Sequence, residues 1–253
     1  MKGVVISLEG KKIREIEIPD VFDTPYRPDI IKRAVVASEA NRRQPYGPNK
    51  KSGMRHAVST WGKGRGTARV QRLTQGRTAA ESPNNVGGRR AHPPRVEKIY
   101  HKKINKKENT LARFSSFAAT GNSEIISSRN HKFDDKLAFP IIIEDAFEGL
   151  MTTKDAVNVL DTIGVGEDLE RAKKGKHIRA GRGTMRGRKY KIPKSVLVVC
   201  NDDSNLQPSL RNLPGVDVIR VENVSTSDLA PGGLPGRLTV YTESAIRKIG
   251  GDE

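Results

Sequence analysis

Val196-Leu197-Val198-Val199-Cys200 is an unbroken apolar run, and two more strand-sized runs follow it at Val216 to Val221 and Leu238 to Tyr241. Helix-forming segments stand between them, near Asn205 to Arg211 and Thr226 to Leu229, and a further helix is expected from Glu243 to Ile249. Strands that alternate with helices predict a parallel sheet with right-handed crossovers. Because Val196 to Val199 is apolar at consecutive positions, both faces of that strand must be covered, which puts it inside the sheet. Cys200, the single cysteine, closes the run and reads as a core thiol, not as a nucleophile or half of a disulfide. The predicted fold class is α/β: a Rossmann-like, mostly parallel sheet with flanking helices.

Upstream, Phe139 to Ile143 is another strand-sized run, followed by helices at about Thr153 to Thr162 and from Glu167. At the other end, residues 3–8 and 13–18 are rich in Val and Ile and flank Glu9-Gly10, which predicts a β-hairpin. Pro28 suits a helix first turn, and Ile30, Ile31, Ala34, Val35 and Ser38 recur at helical spacing, so a helix is expected from about Asp29 to Arg43. Leu111, Phe114, Phe117 and Ala118 mark one face of a second helix, closed by Gly121 as its C-cap. Between these helices neither period persists. Residues 42–107 hold only 16 apolar or Tyr residues against eight Gly and five Pro, too few for a core of their own. A loop beyond about 15 residues inside a compact domain is read as functional or disordered. The predicted organisation is a globular body from residues 1–41 and 108–253, an extended basic loop at 42–107, and a second basic loop at 171–191 within the body.

Charge follows the same division. The 253 residues carry 46 Lys plus Arg against 29 Asp plus Glu, a net +17, and residues 42–107 alone hold 18 basic side chains with two acids, Glu81 and Glu97. Arg171 to Lys191 adds ten basic residues and no acid, so the remainder of the chain is acidic. A solubility bias scatters cations over every surface, whereas a polyanionic partner needs them gathered. No stretch approaches the roughly 18 consecutive apolar residues of a membrane span, and the opening Met1 to Glu9 lacks a signal-peptide core. A cytoplasmic protein without a membrane partner is expected.

Enzymatic readings fail on their own chemistry. Gly181-Arg182-Gly183-Thr184-Met185-Arg186-Gly187 has the look of a dinucleotide loop, but it precedes a strand where such a loop must follow one and open a helix. Gly62-Lys63-Gly64-Arg65-Gly66-Thr67 lacks the closing Gly-Lys-Ser/Thr of a Walker loop. His56, His92, His101, His131 and His177 show no metal-ligand spacing, with each other or with Cys200. Asp202-Asp203 and Glu144-Asp145 follow strand ends, where solvated turns and caps are the ordinary occupants. No catalytic set, metal, cofactor or small-molecule substrate is expected.

The basic segments do carry phosphate-binding chemistry: Arg forks grip phosphates bidentately, Lys supplies point charge, and Gly lets the backbone come close. In the loop's first arm the candidate RNA contacts are Arg42, Arg43, Lys50, Lys51, Arg55, His56, Trp61, Lys63 and Arg65. The second arm adds Arg89, Arg90, His92, Arg95, Lys98, Lys102 and Lys103, and the later segment adds Arg179, Arg182, Arg186, Arg188 and Lys189. Trp61, Tyr46 and Tyr100 lie among these charges, placed either to stack on splayed bases, which suits folded RNA better than duplex DNA, or to pin the loop base.

Ser59-Thr60-Trp61-Gly62-Lys63-Gly64-Arg65-Gly66-Thr67-Ala68-Arg69, followed by Gly87-Gly88-Arg89-Arg90-Ala91-His92-Pro93-Pro94, resembles the extended loop of the large-subunit ribosomal protein L4 family. The resemblance runs on through Asn105-Lys106-Lys107-Glu108-Asn109 and the Arg-Gly-rich run before Val196. It implies an α/β body on the surface of the large ribosomal subunit, no enzymatic activity, and a loop threading into ribosomal RNA with its tip lining the peptide exit tunnel. Ribosomal RNA, neighbouring large-subunit proteins and the nascent peptide are the implied partners. In this sequence the tip residues are Arg69, Arg72, Leu73, Thr74 and Arg77. The loop is longer between its Gly-rich ends than in bacterial members, and the long eukaryotic extension is not found after Glu253, which favours an archaeal form. Reach agrees: a 66-residue excursion folded double spans up to ~100 Å, against a body radius of gyration of about 16 Å. The rival expectation is a free RNA-binding regulator acting on a messenger that mimics the ribosomal site; sedimentation with subunits at high salt separates the two.

Overall fold

The computed structural model describes residues 2–251. They form two compact units, residues 2–39 with 103–251, and Ala40–Lys102. In chain order the elements are β1 (Lys2–Ile6), β2 (Lys12–Glu17), α1 (Pro28–Asn41), β3 (Val58–Ser59), β4 (Arg72–Leu73), α2 (Lys106–Thr120), α3 (Ser123–Ser128), β5 (Ile141–Ile143), α4 (Thr153–Ile163) and α5 (Gly166–Lys174). There follow β6 (His177–Ile178), β7 (Tyr190–Lys191), β8 (Leu197–Cys200), α6 (Leu206–Leu210), β9 (Asp217–Arg220), α7 (Thr226–Leu229), β10 (Thr239–Thr242) and α8 (Glu243–Gly250).

Six strands make the central sheet in the order β2-β1-β5-β10-β8-β9. Only β2 runs antiparallel, hairpinned onto β1; every other neighbour pair is parallel. The sheet is therefore mostly parallel with helices on both faces. Successive residues along a strand point to opposite faces, so each apolar run feeds two cores. Ile141, Ile143, Val198, Cys200 and Val240 pack with Ile126 of α3, Ala156 and Leu160 of α4 and Leu206 and Leu210 of α6. Ile142, Leu197, Val199 and Tyr241 point the other way, against Phe117 of α2, Leu229 of α7 and Ala245 and Ile246 of α8.

The expected elements are present with shifted ends, and two features differ from expectation. Helix α3 was not anticipated: its six residues are too few to show a period, yet Asn122 caps it by accepting from the Glu124 N–H at 2.9 Å. The second basic loop is not irregular throughout, because Arg171 to Lys174 complete α5 and β6 pairs with β7 in a small hairpin. Gly121 does cap α2, in right-handed geometry, its N–H donating to the Ala118 carbonyl at 3.1 Å. Among the described residues no helix is long and apolar enough to cross a membrane.

One buried cation ties the sheet's far side together. Arg237 is 1% exposed; its guanidinium donates to the Ser195 carbonyl (2.9 Å), the Gly215 carbonyl (3.1 Å), the Asp228 carbonyl (3.1 Å) and Asp217 Oδ2 (2.6 Å). The segments leading into β8 and β9, the start of β9 and helix α7 thus share one guanidinium. Arg237→Met removes it and leaves those acceptors desolvated, so urea unfolding should show a loss of about 3–5 kcal/mol. Lys194→Met, which deletes only the half-exposed partner of Asp217 (2.7 Å), should cost less than about 1 kcal/mol by the same measurement.

Candidate nucleic-acid interface

No side chain of Ala40–Lys102 is buried, so packing of an apolar core does not hold this unit in shape. Its two ends instead run side by side in opposite directions. Asn41 Nδ2 donates to the Lys102 carbonyl (3.3 Å) while the Lys102 N–H donates to Asn41 Oδ1 (2.9 Å). Next along, the Arg43 guanidinium lies 4.2 Å from the Tyr100 ring centre, and Lys50 pairs with Glu97 at 3.2 Å. Glycine sets the spacing at two points: a Cβ on Gly47 would stand 2.6 Å from the Pro94 carbonyl oxygen, and one on Gly53 2.8 Å from Arg89 Cα. Larger residues there would splay the arms. The result is a double ribbon held by side chains and close backbone approach.

Lys50–Glu97 is the sole ion pair in this unit among the described residues. Arg42, Arg43, Lys51, Arg55, His56, Lys63, Arg65, Arg90, His92, Arg95, Lys98 and Lys102 are exposed along the ribbon, Arg89 is half-buried, and Lys103 falls in the other unit. Glu97 stays ionised: its own backbone N–H, then Lys50, hold its carboxyl below the ordinary value. The aromatics are partly engaged already. Trp61 has Arg72 at 5.3 Å and Arg65 at 5.7 Å from its ring centre, and Tyr100 has Lys98 at 5.4 Å as well as Arg43. Such cation–π contacts help to hold the ribbon's shape.

At the tip, β4 pairs with β3 and turns back, Arg72 facing Ala79 and the Leu73 N–H donating to the Thr78 carbonyl at 3.0 Å. Arg69, Thr74 and Arg77 are exposed, whereas Arg72 and Leu73 are half-buried. The two terminal nitrogens of Arg72 are engaged locally, donating to the Arg77 carbonyl (2.7 Å) and the Ala68 carbonyl (3.4 Å), while its Nε is buried without a partner. Arg72 closes the turn.

The second basic segment divides in two. Arg182, Arg186, Arg188 and Lys189 are exposed around the tip of the β6–β7 hairpin, and Arg179 braces it, its N–H donating to the Lys189 carbonyl (2.8 Å) and its Nε to the Arg188 carbonyl (3.2 Å). Arg171, in contrast, turns inward to a cluster that sequence reasoning missed. Its Nε donates to Asp168 Oδ1 (2.7 Å) and its terminal nitrogen to the Lys194 carbonyl (2.8 Å). Asp168, fully buried, also lies 3.1 Å from His131 Nδ1, and His131 Nε2 is buried without a partner. Burial raises the Asp168 pKa, but hydrogen bonds from His131 and Arg171 outweigh it and the carboxyl stays below its ordinary value. Burial pushes His131 below its own, against the pull of Asp168, because a second N–H at Nε2 would have no acceptor. The cluster fixes the root of the hairpin.

The remaining candidates of the sequence are structural. Asp202 and Asp203 both accept from Arg220, at 2.9 and 2.5 Å, and Glu144 accepts from the Leu8 N–H at 2.7 Å. Burial pushes the Cys200 thiol up to about 12, so it is a neutral core group.

The class of protein is given by comparison: the profile of the ribosomal protein L4/L1 family matches residues 16–252, and the chain belongs to that family. It is 50% identical over 249 residues to the large ribosomal subunit protein uL4 of Methanocaldococcus jannaschii, with 98% of each chain covered. The uL4 proteins of Archaeoglobus fulgidus (49% over 250 residues, 99% of this chain and 98% of the relative) and Haloquadratum walsbyi (47% over 249 residues, 98% and 99%) are similar along the same span. These relatives are named as ribosomal proteins, and the family is not one of enzymes.

The buried histidine gives the body a pH dependence of definite sign. A folded state that keeps His131 neutral loses stability as pH falls through the ordinary value of 6.5, where the unfolded chain takes up the proton. The urea midpoint should therefore drop between about pH 7 and pH 5, and His131→Asn, though weaker at neutral pH, should lose less over that interval.

Proposed function

We propose that this chain is a structural constituent of the large ribosomal subunit in the cytoplasm, binding ribosomal RNA through both basic segments, with the tip of residues 42–107 reaching the peptide exit tunnel. One observation carries the reading. Ala40–Lys102 holds fifteen Lys and Arg side chains, one internal ion pair and no buried residue, so its repulsion is relieved only by an external polyanion. The β6–β7 hairpin repeats the pattern on a smaller scale, its exposed Arg and Lys held up by a rigid root. The uL4 names of the relatives support the large subunit as the site of assembly, with its neighbouring proteins as further partners.

Within the loop we assign different work to different stretches. The arms, about Arg42 to Arg65 and Arg89 to Lys107, are the RNA anchors. The middle, Thr67 to Gly88, carries Arg69, Arg72 and Arg77 among Thr, Ala, Gln, Ser and Asn, a composition without the large apolar patch that would hold a passing nascent chain.

Binding of the full chain to a large-subunit RNA fragment should fall steeply with salt: if about eight cations neutralise phosphates, log K against log salt has a slope of roughly −6 to −7. A slope shallower than about −2 would remove the loop from the interface. Deleting Leu73 to Asn84 should leave incorporation into subunits largely intact while changing the passage of stalling-prone nascent chains, and deleting either arm should impair incorporation. Equal loss of incorporation from both deletions would make the middle an anchor as well.

A further inference from the structure

The double ribbon contains a hollow whose lining is not cationic throughout. Where the arms pass each other, a cavity of about 630 Å³ opens to solvent, within the roughly 300–1,000 Å³ typical of small-ligand sites. It is lined by two tyrosines, Tyr46 and Tyr100, by the Pro93-Pro94 pair, and by Glu97 among several cations. The two rings are not equivalent. Tyr100 already lies under Arg43 and Lys98, whereas Tyr46 is 64% exposed and has no cation stacked on it among the described residues.

A carboxylate in a surface built to attract phosphate weakens that attraction, and here its pair with Lys50 already helps to join the arms. In a cavity with an unstacked aromatic ring it has a different use. An ionised carboxylate only accepts hydrogen bonds, and it takes two parallel ones. Among the four RNA bases, guanine alone presents two adjacent donors, N1–H and the N2 amine, on its Watson–Crick edge. Adenine and cytosine set a ring-nitrogen acceptor beside their amine, and uracil flanks its N–H with two carbonyls, all of which a carboxylate repels. His92 and Arg90, at the same rim, are placed for the ribose and flanking phosphates.

We infer that this cavity is a receptor for a single extruded RNA guanine, stacked on Tyr46 and read by Glu97. The inference deepens the RNA-binding reading and rests on it: the anchors would then recognise one base as well as hold phosphates. The Lys50–Glu97 pair is the gate to this recognition, because Lys50 must cede part of the carboxylate when the base arrives.

The test uses the full chain and five RNA hairpins that are identical except for one bulged position, carrying G, A, C, U or an abasic sugar. Wild type should bind the G bulge about tenfold tighter than the abasic one, with A, C and U between them, a difference of the size that one stacked and hydrogen-bonded base gives. Tyr46→Ala should bring all four bases down to the abasic level, and Tyr46→Phe should restore them. Glu97→Gln should bring G to within about threefold of A while binding the abasic hairpin no more weakly than wild type, since a negative charge has been removed. Arg188→Ala, in the other segment, should weaken all five hairpins alike. Equal wild-type affinity for the five hairpins with a steep salt slope retained overturns the guanine receptor and leaves the RNA reading standing; so does a Glu97→Gln chain that keeps the full preference for G. Binding that is insensitive to salt overturns both.

Discussion

Mutual repulsion among the cations of residues 40–102 is the constraint around which the molecule is arranged. Little inside that unit offsets it: one carboxylate is paired, no side chain is buried, and the arms are held together by that pair, the Asn41–Lys102 hydrogen bonds, glycine contacts and cation–π stacking, which are individually weak. On the RNA-binding reading proposed above, such a segment is completed by a polyanion. In the chain it lies between helices α1 and α2.

The same logic appears inside the body in reverse. Where a cation turns inward there, it is engaged: buried Arg237 spends its guanidinium on carbonyls and Asp217, and half-buried Arg171 spends its own on Asp168 and the Lys194 carbonyl. Leaving any of these acceptors unpaired in a dry interior is costly, whereas the exposed cations of the hairpin tip cost little while water surrounds them. Position alone therefore separates arginines that build from arginines left exposed, although the sequence writes both with one letter.

That separation marks the boundary of what was legible. The parallel sheet, its buried central run and its flanking helices could be read from Val196 onward because burial on both faces leaves an unbroken apolar signature, and the first hairpin because Glu9-Gly10 breaks two Val/Ile-rich runs. The gathering of charge was equally plain. Long-range pairings were not: His131 and Asp168 lie 37 positions apart with no periodic pattern to link them, and Arg237 looked like any other cation in a loop. The cavity at Tyr46 and Glu97 was hidden for the same reason, since it exists only because Gly47 and Gly53 let two distant stretches touch.

The order of the strands has a consequence for the life of the chain before it meets its partner. Strand β10 lies between β5 and β8, so the two halves of the sheet, β2-β1-β5 and β8-β9, share no hydrogen bonds until the chain has been made as far as Thr242. During synthesis the cationic ribbon therefore emerges long before the body that anchors it can close. For that interval the cell holds a strongly basic, unanchored tether beside an abundance of nucleic acid, and non-local closure of this kind is slow. Premature adhesion to the wrong RNA, more than thermal unfolding, is the hazard this topology creates.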